Sequence, residues 1–321
     1  MILILTYDAY EQGTDPVVDW LLEANVPFVR VTATDLVRRR IRYQIDVDRQ
    51  DVYLDGQSVK ESVRVVWYRR FLGEMPDVGR AAGPHRAQLQ AEVSTEIRHL
   101  FEYLCFILKD RPWLPAPGKT QLNKLEVLNH AQASGLNVPV TRVINNRRDL
   151  EELYRRSPNG LITKLIADVR KPYVQAETTY VAVTQVVDAE RIEPMSEYFF
   201  PTLFQEKVPA QYEVRIFYLD GDCYATAIRS SEPEHVDRKL NGSQKTHYLP
   251  YRLPDALTGQ IRELMRRLDL NTGCIDLMRR PDGAYVFLEV NPVGQYLAES
   301  EHCRYQLDRK IANWLITHNA A

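Results

Sequence analysis

The residues with the clearest chemical potential lie near the carboxyl end of the chain, where two apolar, β-rich runs flank Asp282-Gly283. Asp-Gly between such runs predicts a two-residue β-hairpin loop. Counting outward from that loop places Asp276 directly opposite Glu289, and Asn291 follows two residues later on the same face. The hairpin therefore gathers three oxygen ligands on one face of a sheet.

Two carboxylates that face each other destabilise a sheet unless a cation lies between them. Carboxylate and amide oxygens suit Mg²⁺, which takes one or two carboxylates together with substrate phosphates. The spacing thus predicts a metal site at Asp276, Glu289 and Asn291. The alternative is a solvated face with scattered acids, but the apolar flanking residues favour a mostly buried sheet.

A second group of polar residues precedes this hairpin. Glu213 and Arg215 share one face of a predicted strand, and a carboxylate suits a ribose hydroxyl pair whereas a guanidinium suits a phosphate. Glu-x-Arg alone is more often a surface ion pair. Lys124, at the start of a predicted helix, and Lys164, within the predicted strand Leu161–Ile166, are further phosphate candidates; the alternative for Lys164 is an edge-strand lysine that faces solvent.

The face on which Arg229 lies depends on the length of the preceding loop. A two-residue loop at Asp220-Gly221 places Arg229 on the face away from Arg215. A three-residue loop at residues 221–223 pairs the two arginines, which then need an anion between them. The spacing leaves both alternatives open.

The elements that must position these residues follow an α/β pattern. The first part of the chain alternates strands and helices, and the Pro/Gly-rich stretch 111–118 marks a domain boundary. The predicted strands are Met1–Thr6, Pro27–Val31, Val63–Tyr68, Val138–Ile144, Leu161–Ile166 and Tyr180–Val187, with an edge pair at Arg42–Val47 and Asp51–Leu54 closed by Asp55-Gly56. The predicted helices begin at Asp15-Pro16 and span Arg86–Leu108, Leu122–Ser134 and Asp149–Arg156.

Composition excludes several classes of protein. The 321 residues are 45% hydrophobic and 26% charged, an ordinary globular profile. The net charge of −2 argues against a nucleic-acid partner, and no apolar run approaches the ~20 residues of a membrane helix. Four cysteines without CxxC spacing suggest neither a zinc site nor a disulfide framework. These features predict a cytoplasmic protein with reduced thiols.

Taken in order, these residues resemble the ATP-grasp superfamily. The resemblance implies an α/β fold with a pre-ATP-grasp domain at residues 1–117, a small central subdomain at 118–195 and a C-terminal catalytic subdomain at 196–321. It is closest to the ribosomal peptide maturases known as graspetide synthetases, of the microviridin and grasp-with-spasm types. The matching strings are Val-Trp-Tyr-Arg-Arg at 66–70, Phe-Gln-Glu at 204–206 and Leu-Glu-Val-Asn-Pro-Val-Gly-Gln at 288–295.

The resemblance also implies roles for individual residues. ATP and Mg²⁺ would be the cofactors, and the substrate would be a precursor peptide with leader and core segments. Arg215 would stabilise the transferring phosphoryl group, and Arg229 matches an arginine of related peptide-ligating enzymes. The nucleotide would be held by Lys124 and Lys164 at the phosphates, Glu213 at the ribose, and Gln205, Glu206 and Val208 near the adenine, the last two through backbone groups. Asp276, Glu289 and Asn291 would hold Mg²⁺.

Two other functions fit the same residues. One is a ligase that joins a carboxylate to a free amine, and the other is a nucleotide-binding regulatory module without turnover. A leader peptide would dock on 168–175 and 180–187, unless that segment is a nucleotide lid. The sequence is compatible with a homodimer, although it does not determine the oligomeric state.

Overall fold

The computed structural model describes residues 1–8, 12–73, 75–167, 173–175, 178–180, 183–230 and 246–320. The helices are α1 (Asp15–Glu23), α2 (Ala33–Val37), α3 (Val59–Ser62), α4 (Arg86–Ile107), α5 (Lys124–Ala133), α6 (Arg147–Arg155), α7 (Ala189–Ile192), α8 (Asp255–Arg267), α9 (Leu297–His302) and α10 (Leu307–Ala320). The strands are β1 (Ile2–Thr6), β2 (Phe28–Thr32), β3 (Tyr43–Asp46), β4 (Asp51–Leu54), β5 (Gln57–Ser58), β6 (Val65–Tyr68), β7 (Trp113–Leu114), β8 (Thr141–Asn146), β9 (Leu161–Thr163), β10 (Tyr173–Gln175), β11 (Thr178–Tyr180), β12 (Gln185–Val187), β13 (Tyr198–Glu206), β14 (Tyr212–Leu219), β15 (Asp222–Ser230), β16 (Thr246–Tyr251), β17 (Thr272–Arg279) and β18 (Tyr285–Asn291).

The chain divides into two compact units. Unit 1 contains Met1–Thr120 and Pro292–Ala321, and unit 2 contains Gln121–Asn291. The predicted domain boundaries at residues 117 and 195 stay predictions. No helix in the part of the chain that the structure describes combines the length and the apolar character that a membrane span requires.

Unit 1 contains a parallel sheet with the strand order β2-β1-β6-β7. Ile2, Leu3, Ile4 and Leu5 of β1 are all fully buried, as expected for a central parallel strand that is covered on both faces. The first three predicted strands of the chain are therefore confirmed, with shifts of one or two residues at their ends.

A small antiparallel sheet with the order β3-β4-β5 also belongs to unit 1. The predicted edge pair is confirmed, because Tyr43 lies opposite Leu54. The predicted position of Asp55-Gly56 is wrong, however. That dipeptide joins β4 to β5, where Leu54 lies opposite Gln57, because the β3–β4 turn is formed earlier in the chain, between Asp46 and Asp51.

Two arginines at the end of β6 fasten the C-terminal part of unit 1. The Nη1 of Arg69 donates to the carbonyl oxygens of Val293 (3.2 Å) and Gly294 (2.9 Å). The Nε and Nη2 of Arg70 also donate to Val293 O, at 3.2 and 3.0 Å. Arg69 is only 4% exposed. The string Val-Trp-Tyr-Arg-Arg thus ties the segment that follows β18 to the parallel sheet.

Replacing Arg69 should destabilise unit 1. Arg69→Met leaves the buried carbonyl group of Gly294 without this donor, whereas Arg70 still donates to Val293 O. The loss costs about 1–3 kcal/mol of unfolding free energy. All four tryptophans lie in unit 1, so urea unfolding followed by tryptophan fluorescence should give a lower midpoint. The exposed Arg64 provides the control variant, Arg64→Met. Equal midpoints for the two variants would show that the arginine does not stabilise the segment.

Unit 2 contains two larger sheets, each covered by helices on one face. The five-stranded antiparallel sheet has the order β16-β15-β14-β17-β18, and Val214, Ile216 and Ile275 pack with α5 and α8 in its core. The four-stranded sheet has the order β12-β9-β13-β8. Its core, which contains Leu161 and Phe204, packs against α6 and α7.

Two predicted strands of unit 2 differ from the structure. The strand that begins at Leu161 ends at Thr163, because both neighbouring strands pair only with residues 161–163. Lys164 therefore follows the strand instead of lying within it. The predicted strand Tyr180–Val187 is represented by the end of β11 and by β12, and residues 181–182 lie outside the described residues. Most of the expected leader-docking stretch, residues 168–172, also lies outside them.

Candidate active site

Three neighbouring strands of the five-stranded sheet bring the predicted catalytic and metal-binding residues into one row. Arg215 of β14 lies opposite Asp276 of β17, and Asp276 lies opposite Glu289 of β18. Side chains alternate between the two faces of a strand, so Val214 and Ile216, which flank Arg215, point into the core. The face opposite the core therefore carries the polar row.

The Asp276–Glu289 pairing is confirmed, but it arises through two local deviations. The loop contains three residues, because Arg280 N–H donates to Ala284 O at 2.9 Å. Gly283 takes a φ of +97°, as the last residue of such loops commonly does. The predicted two-residue loop is thus wrong. An extra residue in β18 then shifts the register between Asp276 and Leu277, and this bulge restores the predicted pair.

Each of the opposed carboxylates faces a cationic side chain. Arg215 Nη1 lies 2.9 Å from Asp276 Oδ1 and 3.1 Å from Oδ2. Lys124 Nζ lies 3.9 Å from Glu289 Oε2. The side chains of the first pair are 13% and 27% exposed, and those of the second are 20% and 37% exposed. The repulsion between Asp276 and Glu289 is therefore balanced in part by the protein itself.

Lys124 also links the β17–β18 hairpin to the segment that follows β9. It is the first residue of α5, and the preceding Asn123 caps the helix by accepting a hydrogen bond from Leu125 N–H at 3.0 Å. Its Nζ donates to the carbonyl oxygen of Leu165 at 3.4 Å, next to Lys164. Lys124 thus lies beside the segment that contains Lys164. The sequence could not reveal this contact, because a backbone carbonyl acceptor leaves no signal in residue type.

The predicted adenine-binding residues lie at the end of β13. The Gln205 side chain is 1% exposed, and its Nε2 donates to Thr141 Oγ1 at 2.9 Å. Glu206 N–H donates to Val140 O at 2.9 Å, and its Oε1 accepts from Asn159 Nδ2 at 3.2 Å. Val208 lies half-buried in the connection to β14. Thr141, which orients Gln205, was not identified from the sequence.

Register also determines where Glu213 and Arg229 lie. Glu213 is two residues before Arg215, on the same face, and pairs with Ile228. The β14–β15 loop is the two-residue Asp220-Gly221, whose φ values of +46° and +98° suit the tight turns that match strand twist. Arg229 therefore points to the face away from Arg215 and is exposed. The sheet does not bring the two arginines together, and the catalytic role of Arg229 stays a prediction.

The oxygen ligands on this face fit a hard divalent cation. Asn291 pairs with Cys274 and shares the face of Glu289, so two carboxylates and one amide come from adjacent strands. Within the described ranges, no three His, Cys, Asp or Glu side chains come together as a metal site. Carboxylate and amide oxygens with room for phosphate ligands are typical of Mg²⁺ sites.

Comparisons with known proteins identify the fold. No protein-family profile and no curated protein sequence matches the chain. The solved structure of macrocyclase MdnC from Microcystis aeruginosa MRC, bound with precursor peptide MdnA, has a TM-score of 0.83 at 23% identity, over 98% of this chain and 99% of that chain. A RiPP-associated ATP-grasp ligase from Chryseobacterium gregarium, in complex with ADP and a leader and core peptide, gives 0.80 at 21% identity, over 98% and 96%. ATP-grasp ligase PsnB, complexed with a minimal precursor, gives 0.79 at 16% identity, over 99% and 98%.

The chain has the ATP-grasp fold. This confirms the fold class that the sequence predicted. At sequence identities of 16–23%, the structural similarity establishes the fold but not the activity. Proteins with unrelated activities can share a fold. The activity of this chain depends on the residues of its own site.

The metal assignment predicts a specific loss of activity. Glu289→Gln removes one charged oxygen ligand while preserving the size of the side chain, and it should abolish ATP-dependent ADP formation. The circular dichroism spectrum should stay unchanged, because Glu289 is partly exposed. Glu301→Gln, a substitution at an exposed residue of α9, is the matched control. Near-wild-type ADP formation by Glu289→Gln would show that the metal lies elsewhere.

Proposed function

We propose that this chain is an ATP-dependent ligase that closes side-chain ester or amide rings in a ribosomally made precursor peptide. The observation that carries the proposal is the row of charged groups formed by Arg215, Asp276, Glu289 and Lys124 on one face of the sheet. Such an array of cations and oxygen ligands suits phosphoryl transfer. The fold neighbours described as bound to precursor peptides support the choice of substrate.

The proposed reaction has two steps. A carboxylate is a poor electrophile, so an Asp or Glu side chain of the peptide first takes the γ-phosphoryl group, which gives an acyl phosphate and ADP. The hydroxyl of Ser or Thr, or the amine of Lys, then attacks the acyl carbon and loses a proton. The carbon–oxygen bond to phosphate breaks, and an ester or amide ring and inorganic phosphate result.

Individual residues of this chain would have separate roles in the reaction. Lys124 and Lys164 bind the phosphates, and Arg215 stabilises the charge of the transferring group. Glu213 binds the ribose, and the backbone of Glu206 and Val208 binds the adenine together with Gln205. Asp276, Glu289 and Asn291 would hold Mg²⁺, which would supply positive charge against the phosphates. A site closed to water protects the acyl phosphate from hydrolysis.

The wider setting of the reaction is proposed on the sequence alone. The substrate would present a leader segment for binding and a core segment for cyclisation. The reaction would take place in the cytoplasm, where ATP and reduced thiols are available. Division into a pre-ATP-grasp domain and two ATP-grasp subdomains stays part of this proposal, as does the admitted homodimer.

The role of Arg215 predicts a separation between binding and turnover. Loss of an arginine that stabilises a transferring phosphoryl group costs on the order of 10³-fold in rate. Arg215→Ala should therefore lose far more single-turnover ADP formation than nucleotide affinity, measured by fluorescence anisotropy. Arg142→Ala, at an exposed residue of β8, is the control. Equal losses of rate and affinity would make Arg215 a binding residue only.

The reaction itself predicts a mass change. Purified protein, ATP and Mg²⁺ should convert a precursor peptide that contains Ser, Thr or Lys and Asp or Glu. The product should be lighter by one water for each ring and should appear with one ADP for each ring, as measured by mass spectrometry and coupled ADP detection. ADP formation with free amines but not with peptides would favour the carboxylate–amine ligase. ADP absent with every substrate would favour a regulatory module.

A further inference from the structure

The two carboxylates of the candidate metal site are held by cations in different ways. Arg215 Nη1 donates hydrogen bonds to both carboxylate oxygens of Asp276, at 2.9 and 3.1 Å. The contact of Glu289 with Lys124 Nζ is longer, at 3.9 Å, and both of these side chains are more exposed than their counterparts in the other pair. The Lys124–Glu289 pair is thus the one that can exchange partners more readily.

Lys124 cannot stay paired with Glu289 while Glu289 binds a divalent cation. A divalent cation on Glu289 would lie close to the Lys124 ammonium, and like charges at such a distance repel strongly in a partly buried site. The ammonium must therefore leave Glu289 before the metal can be bound well. The phosphates of a nucleotide would give the ammonium another anion to bind, and they would also supply ligands to the metal.

We propose that Lys124 is an exchangeable counter-ion that couples metal binding to nucleotide binding. It neutralises Glu289 in the nucleotide-free protein, and it moves to the phosphates when the nucleotide arrives, which frees Glu289 for the metal. This inference rests on the proposed ATP-dependent function. Because such coupling is reciprocal, metal should tighten nucleotide binding by the same factor by which nucleotide tightens metal binding.

The contact with Leu165 supports this role. Lys124 Nζ donates to Leu165 O at 3.4 Å while it faces Glu289, so the ammonium lies between the metal-binding hairpin and the segment next to Lys164. Exchange of Glu289 for a phosphate would then require movement only of the flexible lysine side chain.

The test measures two affinities that should change in opposite directions. Mn²⁺ serves as the metal probe on nucleotide-free protein, followed by electron paramagnetic resonance, and AMPPNP in EDTA serves as the nucleotide probe, followed by calorimetry. In Lys124→Met, Mn²⁺ should bind roughly five- to tenfold more tightly, because a repelling charge is removed. AMPPNP should bind roughly tenfold or more weakly, because a charge-assisted contact is lost. The factor by which each ligand tightens the other should fall.

Two further variants make the test specific. Lys124→Arg keeps the charge and should keep both affinities and their coupling near the wild-type values. Lys60→Met removes an exposed lysine of unit 1 and should change neither affinity. A shift with Lys60→Met equal to that with Lys124→Met would overturn the proposal, because it would reduce the effect to net charge.

The remaining outcomes separate this inference from the proposed function. Unchanged or weaker Mn²⁺ binding by Lys124→Met, together with normal cyclisation by the wild type, would overturn the counter-ion role and leave the ligase standing. A wild-type protein that binds no AMPPNP, with or without Mg²⁺, would overturn both. Opposite shifts of the two affinities in Lys124→Met alone would support the counter-ion role.

Discussion

The cross-strand register of β14, β17 and β18 is the constraint on which the candidate active site depends. A shift of one residue in any of these strands would turn Arg215, Asp276 or Glu289 into the core and bring an apolar side chain to the opposite face. The core prevents such a shift, because Val214, Ile216 and Ile275 are fully buried on the other face. Burial of the apolar side chains on one face of the sheet thus fixes the positions of the polar side chains on the other face.

Charge balance on the polar face is the second organising feature. The two carboxylates are tolerated side by side because Arg215 and Lys124 lie against them. Removing one partner of a partly buried ion pair costs more than the pair contributes, since the remaining charge has lost its compensation. A site of this kind accepts charged ligands most readily in combinations that preserve the balance, such as a metal ion together with phosphates.

The similarity to solved ATP-grasp structures extends over almost the whole chain although the sequences differ at most positions. This is expected where apolar patterning and strand pairing specify the fold, because many apolar side chains can fill the same volume. In unit 1, the pair Arg69-Arg70 is held by backbone carbonyls of the segment that follows β18. Because these acceptors are backbone carbonyls, the segment can form the same hydrogen bonds with different side chains.

The sequence by itself indicated the alternating α/β pattern, because alternating apolar residues and turn signals act over short distances, whereas the ATP-grasp fold class was implied by the resemblance to a known family. It also predicted the Asp276–Glu289 pair. The structure shows that this pairing needed a three-residue loop and a compensating bulge, which no local signal announced. Only the tertiary structure decided the face of Arg229 and brought Lys124 to Glu289. The face of Arg229 depended on a choice between two loop lengths of similar local preference. The contact between Lys124 and Glu289 joins residues far apart in the chain, and it depends on the packing of α5 on the sheet.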